Sequence, residues 1–446
     1  MFAAAPATGI IRTNSVTHCI SSPSTSGILR RLFIITTGLA LFAGAAQAQE
    51  ALRQSLAGEA AAEASSQAAS TAGYYNLMMG PVAWRFSSGL DTEYNDNVDL
   101  RPDNPDGDFI FQPDLDAEMT WPVTQNNSLN FDLGLGYTFY LQHQELDQLY
   151  INPGSGLSFD IYIKDLKINL HDRLSVTENG YENPGYTNGN SIVRLENDVG
   201  ASGLLDLNDA VVNFGYDHVN YISLAGFQLP DSSSENVMAD AGFRVRPEFL
   251  AGVEAGGGLF NNDPSATSSL PDATQWNAGL FLQAQISEYL STEFHAGYTV
   301  YSPQSSATFT NVSATTGLYF QLSVTHELNR FLTYKLSAGR STDFANYGVP
   351  DEYYFVRFEP DWNLFKKLQM GTPFSWEQGT QLGANGSGTS FDQVSAGINF
   401  SRTLVQKPSG ANLSCSLSEQ FVRETSNQSS GTYTVNIVGL NFTYQF

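Results

Sequence analysis

The sequence predicts an all-β fold: a transmembrane antiparallel up-and-down β-barrel of about eighteen strands, with about sixteen also admissible. Three observations predict it. From Trp84 onward, segment after segment alternates apolar and polar residues with a period of two, which puts one set on each face of a strand. The connectors between the segments alternate short and long, as they do between the two rims of a barrel. No apolar run beyond the first fifty residues reaches helix-spanning length, and mean hydropathy is slightly negative; a helical membrane protein is excluded.

Composition agrees. Of 446 residues, 15% are charged, 12% are aromatic and 39 are Gly, a balance that suits many strands with aromatic belts. The formal net charge of −24 excludes a nucleic-acid binder, which needs a basic surface. It is read as the charge of exposed loops, or as a bias of a pore toward cations.

Residues 1–48 read as an export signal. Arg30 and Arg31 precede the apolar run Leu32–Phe42, and Ala46-Gln47-Ala48 fits an A-x-A cleavage site. Residues 49–80, rich in Ala, Ser, Gln and Glu, are expected to be a lead-in, disordered or a short helix. Residues 81–446 are expected to be the barrel. Cys415 would be alone in the mature chain, on the apolar face with Leu413 and Leu417.

The alternation is clearest in Leu129, Phe131, Leu133, Leu135, Tyr137 and Phe139 against Asn130, Asp132, Gly134, Gly136 and Thr138. Turn-like connectors are expected at Pro122–Ser128, Lys164-Asp165, Asp206–Asp209, Ser287–Tyr289, His326–Arg330 and Gln406–Gly410. Long ones are expected at 95–108, 142–155, 178–191, 220–236, 261–274, 301–311, 340–352, 384–390 and 424–431. Two residues break the rule. Asp172 falls on the apolar parity, and Pro360 lies inside a strand; each needs a bulge or a place near a strand end.

The last strand runs Val438, Leu440, Phe442, Tyr444 and Phe446 on one face and Gly439, Asn441, Thr443 and Gln445 on the other. This ending resembles the terminal strand of bacterial outer-membrane barrels, whose final aromatic is read by the insertion machinery. Gly89-Leu90-Asp91-Thr92-Glu93-Tyr94-Asn95-Asp96-Asn97-Val98, then Asp108-Phe109-Ile110-Phe111-Gln112-Pro113-Asp114-Leu115, resembles the opening of the β-barrel porin type 2 family. The resemblance covers residues 84–121. It implies an outer-membrane channel of a Gram-negative bacterium, with exopolysaccharide export in some members, and carries over no catalytic residue.

By strand parity the inner wall carries Arg85, Asp91, Glu93, Asp114, Asp116, Glu118, Asp132, Lys167, Arg173, Arg194, Glu196, Arg244, Arg246, Glu254, Glu293, Lys335, Arg357 and Glu359. Such walls select solutes by charge. The run Asp103–Asp108 resembles an oxygen-ligand loop for Ca²⁺ but lacks the spacing and distal Glu of an EF-hand. His171 and His295 take inward parity without a catalytic motif around them. No catalytic, cofactor or metal site is expected. Expected partners are outer-membrane lipids and lipopolysaccharide, the insertion machinery through Phe446, and further copies in a homo-trimer. Passive diffusion of small hydrophilic solutes is the leading reading; an exit duct for an exopolysaccharide and a blocked structural or adhesive barrel are the others.

Overall fold

The computed structural model describes residues 75–177, 192–226, 231–263, 271–304, 314–344, 350–365, 367–381, 388–407, 410–428 and 431–446. The export signal, most of the lead-in and the connector 178–191 lie outside them.

The strands are β1 (Leu77–Met79), β2 (Val82–Asn95), β3 (Asp108–Pro122), β4 (Asn127–Tyr140), β5 (Gln148–Ile151), β6 (Gly156–Ile163) and β7 (Leu166–Thr177). Then come β8 (Ile192–Asp206), β9 (Ala210–Gly226), β10 (Ser232–Arg246), β11 (Phe249–Asn262), β12 (Ala273–Ser287), β13 (Leu290–Pro303) and β14 (Thr315–Asn329). The last are β15 (Leu332–Phe344), β16 (Pro350–Asn363), β17 (Leu368–Gly371), β18 (Phe374–Gln381), β19 (Thr389–Gln406), β20 (Asn412–Ser426) and β21 (Tyr433–Gln445).

All pair antiparallel in one sheet. β21 pairs back onto β2, from Ser87 opposite Gln445 to Asn95 opposite Ile437, and closes it. Two interrupted pairs each fill one place in the wall. β5 and β6 both lie between β4 and β7, and β17 and β18 both lie between β16 and β19. With β1 set aside, the barrel has 18 strands. Closure joins the first and last strands of the wall, so each of the 18 has a neighbour on both sides.

β1 is a departure from expectation, since Leu77–Met79 fall in the presumed lead-in. Gly80, at φ 64°, turns the chain so that Leu77 faces Trp84 and Met79 faces Val82. β1 thereby continues the line of β21 along the seam. Asn76 fastens the junction: its Nδ2 donates to Phe86 O (3.1 Å) and Phe446 O (3.2 Å), and Phe86 N donates to its Oδ1 (3.2 Å).

Inward and outward faces are told apart by reach. Tyr319 on β14 donates to Glu254 on β11 across two intervening strands, at 2.6 Å. Side chains converge in this way only on the concave side. The opposite parity carries large exposed apolar side chains, among them Leu115 at 65%, Leu280 at 63% and Leu318 at 65%. Left in water, such a surface would cost about 25 cal/mol per Å² of apolar area.

Most connectors fall where the alternation places them, with the turns after β3, β6, β8, β12, β14 and β19 on one rim. The strands encroach strongly on three expected loops. β9 and β10 leave only residues 227–231 between them, β15 and β16 leave only 345–349, and 142–155 contains β5 as well as a 3-10 turn at Gln144–Leu146. Polar strand ends such as Asn220 and Ser232–Ser234 read as loop because they lack the apolar alternate. The anomalous residues need no bulge of their own. Asp172 stays on the outward face, opposite Leu157 and Val199, and accepts from Asn197 Nδ2 (2.7 Å). Pro360 keeps its register opposite Tyr334, and the β17–β18 interruption falls beside it, where a strand partner would have wanted its missing N–H.

Candidate functional site

The inward wall is the candidate site. The period of two puts Arg85, Ser87, Gly89, Asp91 and Glu93 of β2 on it, facing Glu118, Asp116, Asp114, Gln112 and Ile110 of β3. β4 adds Asp132 opposite Glu118 and Gly134 opposite Asp116. Arg85 pairs with Glu118, and Ser87 Oγ donates to Asp116 at 3.2 Å. Six carboxylates, Asp91, Glu93, Asp114, Asp116, Glu118 and Asp132, thus share one arc of β2–β4 with the guanidinium of Arg85. Asp114 lies over Gly89: a Cβ there would sit 2.1 Å from its Oδ1.

Around the wall most of the other charges meet counter-charges. Lys167 Nζ is 3.3 Å from Asp160, and Arg173 Nη1 is 3.2 Å from Asp198 Oδ2. Arg194 lies 4.0 Å over the Tyr221 ring and donates to Ser232 Oγ; Glu196 lies two residues further along β8 on the same face. Arg244 grips Asp206 at 2.7 and 2.9 Å. His295 bridges Glu254 (2.6 Å) and Glu293 (3.0 Å). Lys335 stands opposite Glu359. Arg357 pairs with Glu377 at 2.8 Å, the two residues 8% and 4% exposed. Arg246 departs from the alternation. A bulge after Arg244 sets it opposite Phe249, exposed at the turn rim.

The loop-side half of the wall is different and was not foreseen. Ile110, Tyr353, Phe355, Phe391, Val422, Tyr433, Val435 and Ile437 all take inward parity, yet none is more than 6% exposed. Glu424, 0% exposed, accepts from Gln393 Nε2 and Tyr433 Oη at 3.1 and 3.2 Å. Side chains this covered do not border open water, so the loop-side half of the wall is packed where the turn-side half is charged. The turn-side half has its own apolar contact, Val211, Leu250 and Phe281 with Leu204. Period-two alternation assigns a face and says nothing of how closely facing side chains crowd, so this belt carried no sequence signal.

At the loop rim the acidic run folds around Asp108, which is 0% exposed. Its carboxylate accepts from the backbone N–H of Phe109 (2.7 Å), Gln142 (2.9 Å) and His143 (2.8 Å), and faces His143 Nδ1 at 3.0 Å. Those partners use the lone pairs that a Ca²⁺ ligand would need, so the calcium reading of Asp103–Asp108 loses its strongest donor. Burial alone would lower the His143 pKa. The hydrogen bond to Asp108, with the charges of Asp108, Asp106 and Asp99, outweighs burial and holds it above its ordinary 6.5.

His171 was seen from the sequence without its partners. Its Nε2 lies 2.9 Å from Asp217 Oδ1 and its Nδ1 3.1 Å from Asn169 Oδ1. Asp217, 46 residues away in sequence, reaches it only because β7, β8 and β9 lie side by side.

No protein-family model matches the chain, and no curated protein matches it. The likeness of residues 84–121 to the porin type 2 family remains a resemblance of residues. Solved structures with a similar course include OpdK of Pseudomonas aeruginosa with vanillate, at 10% identity over 81% of this chain and 98% of that one, with a TM-score of 0.46. OccAB3 of Acinetobacter baumannii matches at 10% identity over 81% and 99%, TM-score 0.45. OccK2 (OpdF) of Pseudomonas aeruginosa in complex with glucuronate matches at 9% over 82% and 98%, TM-score 0.47. TM-scores below 0.5 at such identity transfer no activity to this chain.

Proposed function

We propose that the chain is an outer-membrane channel, porin-like, through which small hydrophilic solutes diffuse, with a preference for cations. The closed 18-strand wall, apolar outside and charged inside, carries this reading. In hydrocarbon only a closed barrel or a helix satisfies its backbone. A barrel of this strand number encloses an aqueous space unless its interior is filled. The acidic arc of Asp91, Asp114, Asp116, Glu118 and Asp132 attracts cations and repels anions from the turn side to the middle of the wall. The covered belt at the loop side makes the passage narrow, which suits small solutes and not a polymer; nothing in the wall favours an exopolysaccharide duct.

The test is a reversal potential under a KCl gradient across a planar bilayer. The wild type should be cation-selective. A chain carrying Asp114→Asn, Asp116→Asn and Asp132→Asn should lose most of that selectivity. Anion selectivity in the wild type, or selectivity untouched by the three changes, contradicts the proposal.

A further inference from the structure

The geometry points to a divalent metal site on the inward wall, formed by His171 Nε2, Asp198 Oδ1 and Asp217 Oδ1 and suited to a zinc-class first-row cation. The three atoms lie within 4.8 Å of one another. A small rotation of a carboxylate closes that spread onto bonds of about 2.0–2.2 Å to imidazole nitrogen and carboxylate oxygen.

Four features build the site. The first is its floor. His171, Gly200 and Asp217 are register partners on β7, β8 and β9. A Cβ on Gly200 would sit 2.1 Å from Asp217 Oδ1 and 2.6 Å from His171 Nε2. Only a residue without a side chain on the middle strand lets the outer two converge.

The second is a carboxylate oxygen with nothing to bind. Asp198 Oδ1 is shielded from solvent and has no hydrogen-bond partner among the described residues. It lies 4.0 Å from His171 Nε2, while its sister oxygen is held by Arg173 at 3.2 Å. Shielded carboxylate oxygens are rarely left unmatched, and a cation placed between Asp198 and Asp217 would satisfy this one.

The third is the imidazole orientation. Nδ1 faces Asn169 Oδ1 at 3.1 Å, and Asn169 Nδ2 donates to Asp160 Oδ1 at 2.9 Å. With Nδ1 donating its proton, Nε2 presents its lone pair to the other two donors, the arrangement that orients metal-bound histidines. The fourth is burial: the His171 side chain is 5% exposed and that of Asp217 is 11%. The histidine and one carboxylate are thus largely shielded from bulk water.

One imidazole and two carboxylates favour zinc-class ions over Ca²⁺ or Mg²⁺, which prefer oxygen alone. The set also supplies three protein donors, so further coordination positions stay open to water or to a solute's oxygen.

The site needs only the folded wall, so it is tested apart from transport. The full chain, refolded in detergent and stripped with a chelator, is titrated with Zn²⁺ by calorimetry. One saturable site is expected. His171→Gln and Asp198→Asn should each weaken it at least tenfold, while His143→Gln at the loop rim leaves it unchanged. Heat-modifiable migration on a gel checks that each variant is folded. Co²⁺ added to the wild type should give a visible ligand-field band, a readout that needs no variant. Absence of saturable Zn²⁺ binding to the folded wild type, equal affinity in all chains, or loss of binding in His143→Gln instead would overturn the assignment.

Discussion

Arg357 and Glu377 show what a buried charge asks of its neighbours. Both are nearly covered, and their guanidinium–carboxylate contact at 2.8 Å replaces water for each. Removing one partner strands the other, at a cost of about 3–5 kcal/mol. Arg357→Ala should therefore lower the urea midpoint of the folded barrel far more than Arg246→Ala, whose residue is exposed at the rim. Equal midpoints for the two would contradict the pairing. Gly200 makes the opposite demand, for the absence of a side chain. Gly200→Val should destabilise the barrel by about 1–3 kcal/mol through overpacking, read in the same unfolding experiment; a wild-type midpoint would show that His171 and Asp217 do not converge over it.

His143 carries a pH prediction at the same scale. Its folded pKa is raised by Asp108 and its acidic neighbours. A raised imidazole adds stability that is fully present below its unfolded value near 6.5 and is lost as pH rises through the folded value. The rim contacts between residues 96–108 and 141–147 should thus be tighter at pH 5 than at pH 9. Proteolysis of the rim across that range measures it, and His143→Gln should flatten the dependence.

At the scale of the strand, the seam is the weak point of any closed sheet, because its two partners lie at opposite ends of the chain. Here Asn76 and β1 extend it past the last residue of β21. Asn76→Ala removes a donor and an acceptor that satisfy Phe86 and Phe446 backbone groups. About 1–2 kcal/mol of closure should go with them, seen as faster unfolding of the assembled barrel; an unchanged rate would mean that β1 is ornamental.

Strands were legible where one face is consistently apolar, as in β3, β4, β13 and β21. They were illegible where polar residues occupy the outward face, as with Asn220 of β9 and Glu235 of β10. Glu235 is satisfied there by His218 Nδ1 at 2.8 Å and by Tyr216. Parity put Arg85, Asp114, Glu254 and Arg357 on one face, since a face needs only local counting. It could not show that Tyr319 reaches Glu254, or that Asp198 and Asp217 meet His171. Those meetings depend on register between strands far apart in sequence, which a single alternation does not encode.

For the molecule as a whole, the wall sorts most of its residues by medium: most large apolar side chains outside, most carboxylates and guanidinium groups inside, with Asp172, His218 and Glu235 as outward exceptions. That sorting has one economical explanation, lipid on the outside and water within. Under the channel reading proposed above, the buried belt of Tyr353, Phe355, Phe391 and Val435 narrows the aqueous path near the loop rim. Phe355→Ala with Phe391→Ala should widen it and raise the ion current of each open channel.

The most direct measurement of the central claim is single-channel recording from the purified full chain in a planar bilayer. Discrete current steps, small in the wild type, carried mainly by cations and enlarged in the Phe355→Ala, Phe391→Ala chain, are the predicted result. A silent bilayer containing folded, inserted protein would contradict the claim that water fills the barrel.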